Sequence, residues 1–256
     1  MSEPAGQAAI TAALQGYADK TLILIGRLRS DLLQRLAGVE GFEATRLGEL
    51  LAAVDAGVER FRQDYGTLLE QGKEALTILG GEVVTDAVMQ SGVDILVPDL
   101  TTTLLQALPN VTAELVQRVS SNLQQELARE IQLGVLGVKA PFEVIQAIDR
   151  ILDAQGAKGY AARAETITRT EIGRAQSEAT QAHLENAGRQ GVPVKKQWLH
   201  SGNRNPRSAH VAASGQIRPV NEPFLINGVQ LRYPRDAAAP PGETVNCRCV
   251  AVPYFG

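Results

Sequence analysis

The only two cysteines of this 256-residue chain, Cys247 and Cys249, stand one residue apart near its end. Thiolates and imidazoles bind zinc, and a small domain gains folding free energy from such an ion. Two of the three histidines, His200 and His210, fall in the same terminal region. Cys247, Cys249 and His210 are therefore candidate zinc ligands. Zinc-binding cysteine pairs are typically separated by about two to four residues, so CxC is a tight bite. Two thiols at a strand end, packed without metal, is the competing reading. A disulfide across a single residue is strained and disfavoured in a reducing compartment. The run HSGNRNPRSAH, residues 200–210, gathers two histidines, arginines and serines. A metal-assisted hydrolase would set carboxylates beside them. Glu222, Asp236 and Glu243 are the local acids, at no spacing that marks a catalytic motif. The segment reads better as a polar loop in which His210 makes an interior hydrogen bond. Walker, GxGxxG and HExxH patterns are absent from the sequence. No catalytic residue and no enzymatic activity is expected.

Charge divides the chain. Net charge is −3, with 25 basic and 28 acidic residues. Residues 1–186 hold 16 Lys+Arg against 25 Asp+Glu, and residues 187–256 hold 9 against 3. The front is acidic and the tail basic. Lys195, Lys196, Arg204, Arg207, Arg218, Arg232 and Arg235 are spread along that tail. Phosphate attraction needs only such positive charge. They are candidate contacts to double-stranded DNA or to a protein neighbour, with a merely solvated surface as the alternative.

The elements that must position these residues fall into two textures. Residues 5–190 carry apolar residues at helical spacing, as in Leu22, Ile25, Leu28, Leu32 and Leu36 before Gly38. A second helical pattern covers residues 42–79, interrupted by Gly48, Gly57, Gly66 and Gly72, which either admit close packing or mark breaks. Residues 80–111 look broken. Three further helices follow, one ended by Gly134 and Gly137, one opened by Pro141, and one closed by Gly188 and Gly191. This predicts a mainly α N-terminal region, as a bundle or an extended array. From Pro193 onward the chain holds eight of its twelve prolines, and short extended runs alternate with turns. Asn227-Gly228 between two apolar triplets is a hairpin signal. A small, β-rich α+β domain is expected there. The expected divisions are 1–111, 112–192 and 193–256. No apolar run approaches the roughly 20 residues of a membrane span, and the N-terminus lacks the features of a signal peptide. Synthesis in the cytoplasm is expected.

An ordered set of short motifs joins the two textures. Ile167, Arg169, Thr170 and Glu171 spell I-x-R-T-E on a helix, followed by Lys196 and Trp198 as K-x-W. Then come Arg207 and His210 as R-x-x-H, Glu222–Phe224 as E-P-F, Tyr233–Asp236 as Y-P-R-D, and Asn246–Cys249 as N-C-R-C. This order over residues 112–251 resembles the phage head morphogenesis family, the minor head proteins similar to protein F of phage Mu. Where members of that family often carry an acidic residue between the Trp strand and the Arg/His element, this chain has Asn203 and Asn205. The resemblance implies a minor capsid protein of a tailed phage, made in the host cytoplasm and carried in the virion. It implies partners in the portal protein and the major capsid protein, and roles in DNA packaging or ejection. It casts Arg169, Thr170, Glu171, Trp198 and Phe224 as structural. An effector enzyme, nuclease-like or toxin-like, is the alternative.

Overall fold

The computed structural model describes residues 5–37, 42–93, 98, 100–107, 111–153, 159–200 and 205–256. Helices dominate up to residue 189: α1 (Ala5–Ala37), α2 (Leu47–Gln90), α3 (Thr101–Ala107), α4 (Val111–Val135), α5 (Pro141–Ile151) and α6 (Tyr160–Arg189). The tail holds β1 (Lys195–Leu199), α7 (Ser208–Ala212), β2 (Ile217–Pro219), β3 (Phe224–Ile226), β4 (Val229–Leu231), α8 (Pro241–Thr244) and β5 (Val250–Tyr254). The mainly α chain with a small β-containing tail is as the sequence predicts. No helix among the described residues is long and apolar enough to cross a membrane.

The chain folds into two compact units. One gathers residues 18–70 and 110–167, and its described elements are all helices. Its buried residues include Leu28 and Leu32 of α1, Val54, Val58 and Phe61 of α2, Leu123 and Leu127 of α4, and Ile148 of α5. Pro141 occupies the first turn of α5, and Gly137, at φ 72°, ends the turn after α4. Gly38, expected to stop the first helix, lies outside the described residues.

The other unit gathers residues 1–17, 71–109 and 168–256. The glycines of α2 do not break it. Gly80 and Gly81 lie inside the helix because α6 passes there: a Cβ on Gly80 would stand 2.7 Å from the Gln176 carbonyl oxygen, and one on Gly81 would stand 2.8 Å from His183 Nε2. The break expected after residue 79 is therefore a helix–helix contact, and α2 continues to Gln90. Gly72 likewise meets Ile172 and Tyr17, whereas Gly48 and Gly66 have open space.

The stretch of α6 in this unit buries polar side chains, and three of them satisfy backbone carbonyls. Thr180 Oγ1 donates to the Gly80 carbonyl at 3.1 Å, Gln181 Nε2 to that of Val220 at 2.7 Å, and Asn186 Nδ2 to that of Pro98 at 3.0 Å. Buried polar groups need such partners, and irregular tail backbone needs donors. Through Gln181 the helix satisfies tail backbone.

Three tail strands form an antiparallel sheet in the order β2-β1-β5, with Trp198 opposite Ala251. β3 and β4 form a separate hairpin through Asn227 (φ 52°) and Gly228 (φ 75°), both in the left-handed region a two-residue hairpin turn requires. One apolar cluster joins Trp198, Phe224, Ile226, Leu231, Cys247, Cys249 and Ala251 within the tail. A second joins Val84 and Val88 of α2, Leu184 and Ala187 of α6, and Val192, Val194 and Val220. The tail thus shares its core with two helices.

Candidate metal centre

His210 lies on α7 and is buried, as expected of an interior hydrogen-bonding residue. Its Nε2 stands 2.8 Å from Glu243 Oε2, on α8. With the proton on Nε2, donated to the carboxylate, the Nδ1 lone pair turns toward the two sulfurs. Nδ1 lies 3.5 Å from Cys247 Sγ and 3.5 Å from Cys249 Sγ. Asn246, at φ 54°, makes the turn that delivers both cysteines. The cysteines precede β5 rather than belonging to it. Their convergence comes from irregular backbone, not from strand pleat. The carboxylate partner was missed in the sequence because Glu243 is 33 residues from His210 and fits no motif spacing.

The electrostatics favour a thiolate at Cys247. The hydrogen bond from Cys249 holds the Cys247 thiol well below its usual range, helped by His210 and Arg235 against the effect of burial. Cys249 is correspondingly pushed up, by Cys247 and by burial. Burial works against the charge on His210, but Cys247 and Glu243 together raise its pKa. Arg235 is fully buried, and burial lowers its pKa. It donates to the carbonyl of Cys247 at 2.8 Å, to Gln176 Oε1 at 3.1 Å and to Ser177 Oγ at 2.9 Å. All three acceptors are neutral. Among the described residues no carboxylate meets this guanidinium. A buried charge needs a counter-charge, and a thiolate at Cys247 supplies one.

These residues fit a zinc ion. The three donor atoms lie within 4.8 Å of one another, and all three residues are buried. Tetrahedral zinc with Zn–S of about 2.3 Å and Zn–N of about 2.0–2.1 Å sets N and S about 3.5 Å apart, which matches both Nδ1–Sγ distances. Glu243 on the far ring nitrogen is the partner that orients a metal-bound histidine. The Trp198 indole N–H has no hydrogen-bond acceptor among the described residues, and it lowers the pKa of the Cys249 thiol less than Cys247 and burial raise it. The Trp198 ring packs edge-on to His210, with centroids 5.6 Å apart, and to Phe224, at 5.3 Å. A cleft of about 420 Å³ opens over the cluster, lined also by His200, Asn205, Arg207, Asn246 and Arg248.

The other motif residues hold the tail to α6. Thr170 Oγ1 accepts the Asn246 N–H at 3.0 Å. Glu171 holds Arg174 through two contacts of 2.9 Å, and Arg174 Nε donates to the Arg235 carbonyl at 3.2 Å. Arg169 is buried and donates to Gln15 Oε1 at 2.9 Å. Gln176 and Ser177, which cradle Arg235, carry no sequence signal beyond being small or polar.

The candidate DNA contacts separate into surface and interior. Lys195 and Arg232 are exposed, the latter paired with Asp236. Arg207 and Arg218 are half-buried; Arg207 donates to the Val245 carbonyl and Arg218 to Gln216 Oε1. Arg204 lies outside the described residues. Lys196 and Arg235 are corrections: both are buried, with their charges turned inward. Lys196 Nζ donates to Gln181 Oε1 and the Arg232 carbonyl and sits over the Phe224 ring, and burial pushes its pKa down to about 8. Neither side chain presents a surface to phosphate.

A helical platform bearing a docked tail, closed by N-C-R-C, is the class of fold these residues define. The phage Mu protein F like family model matches residues 120–252, half of the chain, and the chain belongs to that family. Membership supports a phage head morphogenesis protein. The chain is also similar to the NAD(+)–arginine ADP-ribosyltransferase EFV of Enterococcus faecalis (strain ATCC 700802 / V583), with 32% identity over 130 residues. That match covers 51% of this chain but only 26% of the relative. No solved structure matches.

Proposed function

We propose that this protein is a minor capsid component of a tailed-phage head. In this reading it sits at the portal vertex or inside the procapsid, where it contacts portal and major capsid proteins. The carrying observation is the family match, which runs from within α4 into β5 and so takes in α6 and most of the tail. The long helices suit docking along other subunits. The exposed cations Lys195 and Arg232, with Arg207 and Arg218, suit weak, salt-dependent contact with packaged DNA. The three-part division 1–111, 112–192 and 193–256 belongs to the same reading. So does one zinc ion held by His210, Cys247 and Cys249, as a staple for a tail with a small core of its own. Cross-linking of assembled particles tests it. The protein is expected in particles, joined to portal or capsid subunits. Its absence from particles overturns the proposal.

The name of the enterococcal relative favours a second reading, an effector enzyme. Incubating the purified chain with NAD+ and an arginine-containing acceptor, and separately with plasmid and divalent metals, decides it. Turnover abolished by His210→Ala would establish the enzyme reading; inert protein removes it.

A further inference from the structure

Three protein donors leave a tetrahedral ion one ligand short. At this cluster the deficit has a direction. Cys247 and Cys249 pack into the apolar group of Trp198, Phe224 and Ala251, while the same cysteines and His210 line the cleft. Among the described residues the donor group stops at three. Residues 201–204, Ser-Gly-Asn-Arg, add no cysteine, histidine or carboxylate to the sequence here. The cleft is lined by Arg207 and Arg248 together with His200, Asn205 and Asn246, with no acidic residue among the described lining residues; His200 stands outside the donor group. Positive walls and a Lewis acid at the floor select an anion.

Resting on the zinc reading above, we propose that the fourth position stays open to the cleft and takes an acidic side chain of a partner protein. Its carboxylate would meet the ion with one oxygen and Arg207 or Arg248 with the other. The choice of carboxylate over nucleic-acid phosphate follows from depth. His210 is 2% exposed and each cysteine 3%, so a ligand must reach in on a slender stem. Asp and Glu side chains do so, whereas a phosphate fixed in a duplex backbone stays at the cleft mouth.

Cobalt substitution of the full chain tests this. Thiolate-to-metal charge-transfer bands, lost in the Cys247→Ser/Cys249→Ser variant, report the ion on its ligands. Acetate is then titrated as the probe, with inorganic phosphate as the comparison. The expected result is a saturable shift of the visible cobalt bands by acetate. Arg248→Gln should weaken it roughly threefold to fivefold, the effect of one partly exposed charge. Bands that ignore acetate in cobalt-loaded protein would show that the chain closes its own shell and would overturn the open position alone. A response to phosphate at lower concentration than to acetate overturns the carboxylate assignment. Failure to hold cobalt or zinc removes the zinc reading and this inference with it.

Discussion

Replacing a helical glycine by alanine usually stabilises, because glycine in a helix interior costs about 1 kcal/mol relative to alanine. Gly173→Ala in α6 is expected to do the reverse. A Cβ there would stand 2.7 Å from Arg235 Nε, 2.8 Å from its Cζ and 3.0 Å from its Cδ. Ordinary non-bonded contact is about 3.5–4.0 Å, so the guanidinium must retreat by roughly 0.7 Å or more. It has nowhere free to go. Its hydrogen bonds to the Cys247 carbonyl and Ser177 Oγ, at 2.8 and 2.9 Å, lie in a fully buried site. Retreat stretches both toward breaking, at about 1–3 kcal/mol for each buried group left unsatisfied. Overpacking of itself costs about 1–3 kcal/mol. Against the helix gain, the net loss should be about 2–4 kcal/mol. Gly16→Ala and Gly26→Ala in α1, where a Cβ meets nothing within 4 Å, serve as controls and should be neutral or mildly stabilising. Urea denaturation followed by circular dichroism reads all three, and the clash predicts that the loss vanishes in an Arg235→Ala background. Gly173→Ala as stable as the controls, or equally harmful without Arg235, would refute the reasoning.

Thr170→Val should cost about 1–3 kcal/mol by leaving the Asn246 N–H without its acceptor, while Thr170→Ser should recover most of the loss in the same urea titration. Lys196 has its pKa pushed down from 10.5 to about 8 by burial, so between those values the unfolded chain binds more protons than the folded one. Stability from this group therefore rises with pH through that window, and Lys196→Gln should lose more relative to the parent at pH 9.5 than at pH 7.5. Ending the chain after Val192 removes Val194 and Val220 from the cluster with Val84, Val88 and Leu184; light scattering should show an aggregating product, where the sequence suggests an independent helical region. Chelation should release the tail, read as faster cleavage by trypsin at Arg207 and Arg248, with zinc restoring protection.

The helical N-terminal region, the stops at Gly137 and Gly191 and the hairpin at Asn227-Gly228 were legible because each rests on local chemistry: apolar period, C-cap geometry and a positive φ at both hairpin positions. What stayed hidden depends on partners distant in sequence. Gly80-Gly81 reads as a break until α6 supplies a neighbour whose carbonyl a Cβ would strike. Lys196 and Arg235 count as surface charge until Gln181, Gln176 and Ser177 supply buried acceptors. The candidate ligands His210, Cys247 and Cys249 were visible as residue types. The carboxylate that orients the ring, the arginine beside the thiols and the cleft were not, because each arrives from another segment.

The motifs that mark this family divide by chemistry once placed. R-T-E and Y-P-R-D meet at one seam: Glu171 positions Arg174 on the Arg235 carbonyl, Thr170 takes the Asn246 N–H, and Arg235 reaches back to the carbonyl of Cys247. N-C-R-C and R-x-x-H meet at the cluster, one residue beyond that seam. The guanidinium of Arg235 thus touches both. Its neutral hydrogen-bond partners hold the tail on α6, and the Cys247 thiolate stands against its charge. Loss of that thiolate should then unsettle the seam as well as the cluster. A cysteine-to-serine change at either position is accordingly a test of docking: it should increase hydrogen exchange at the Asn246 amide, which a cluster independent of the seam would leave unmoved.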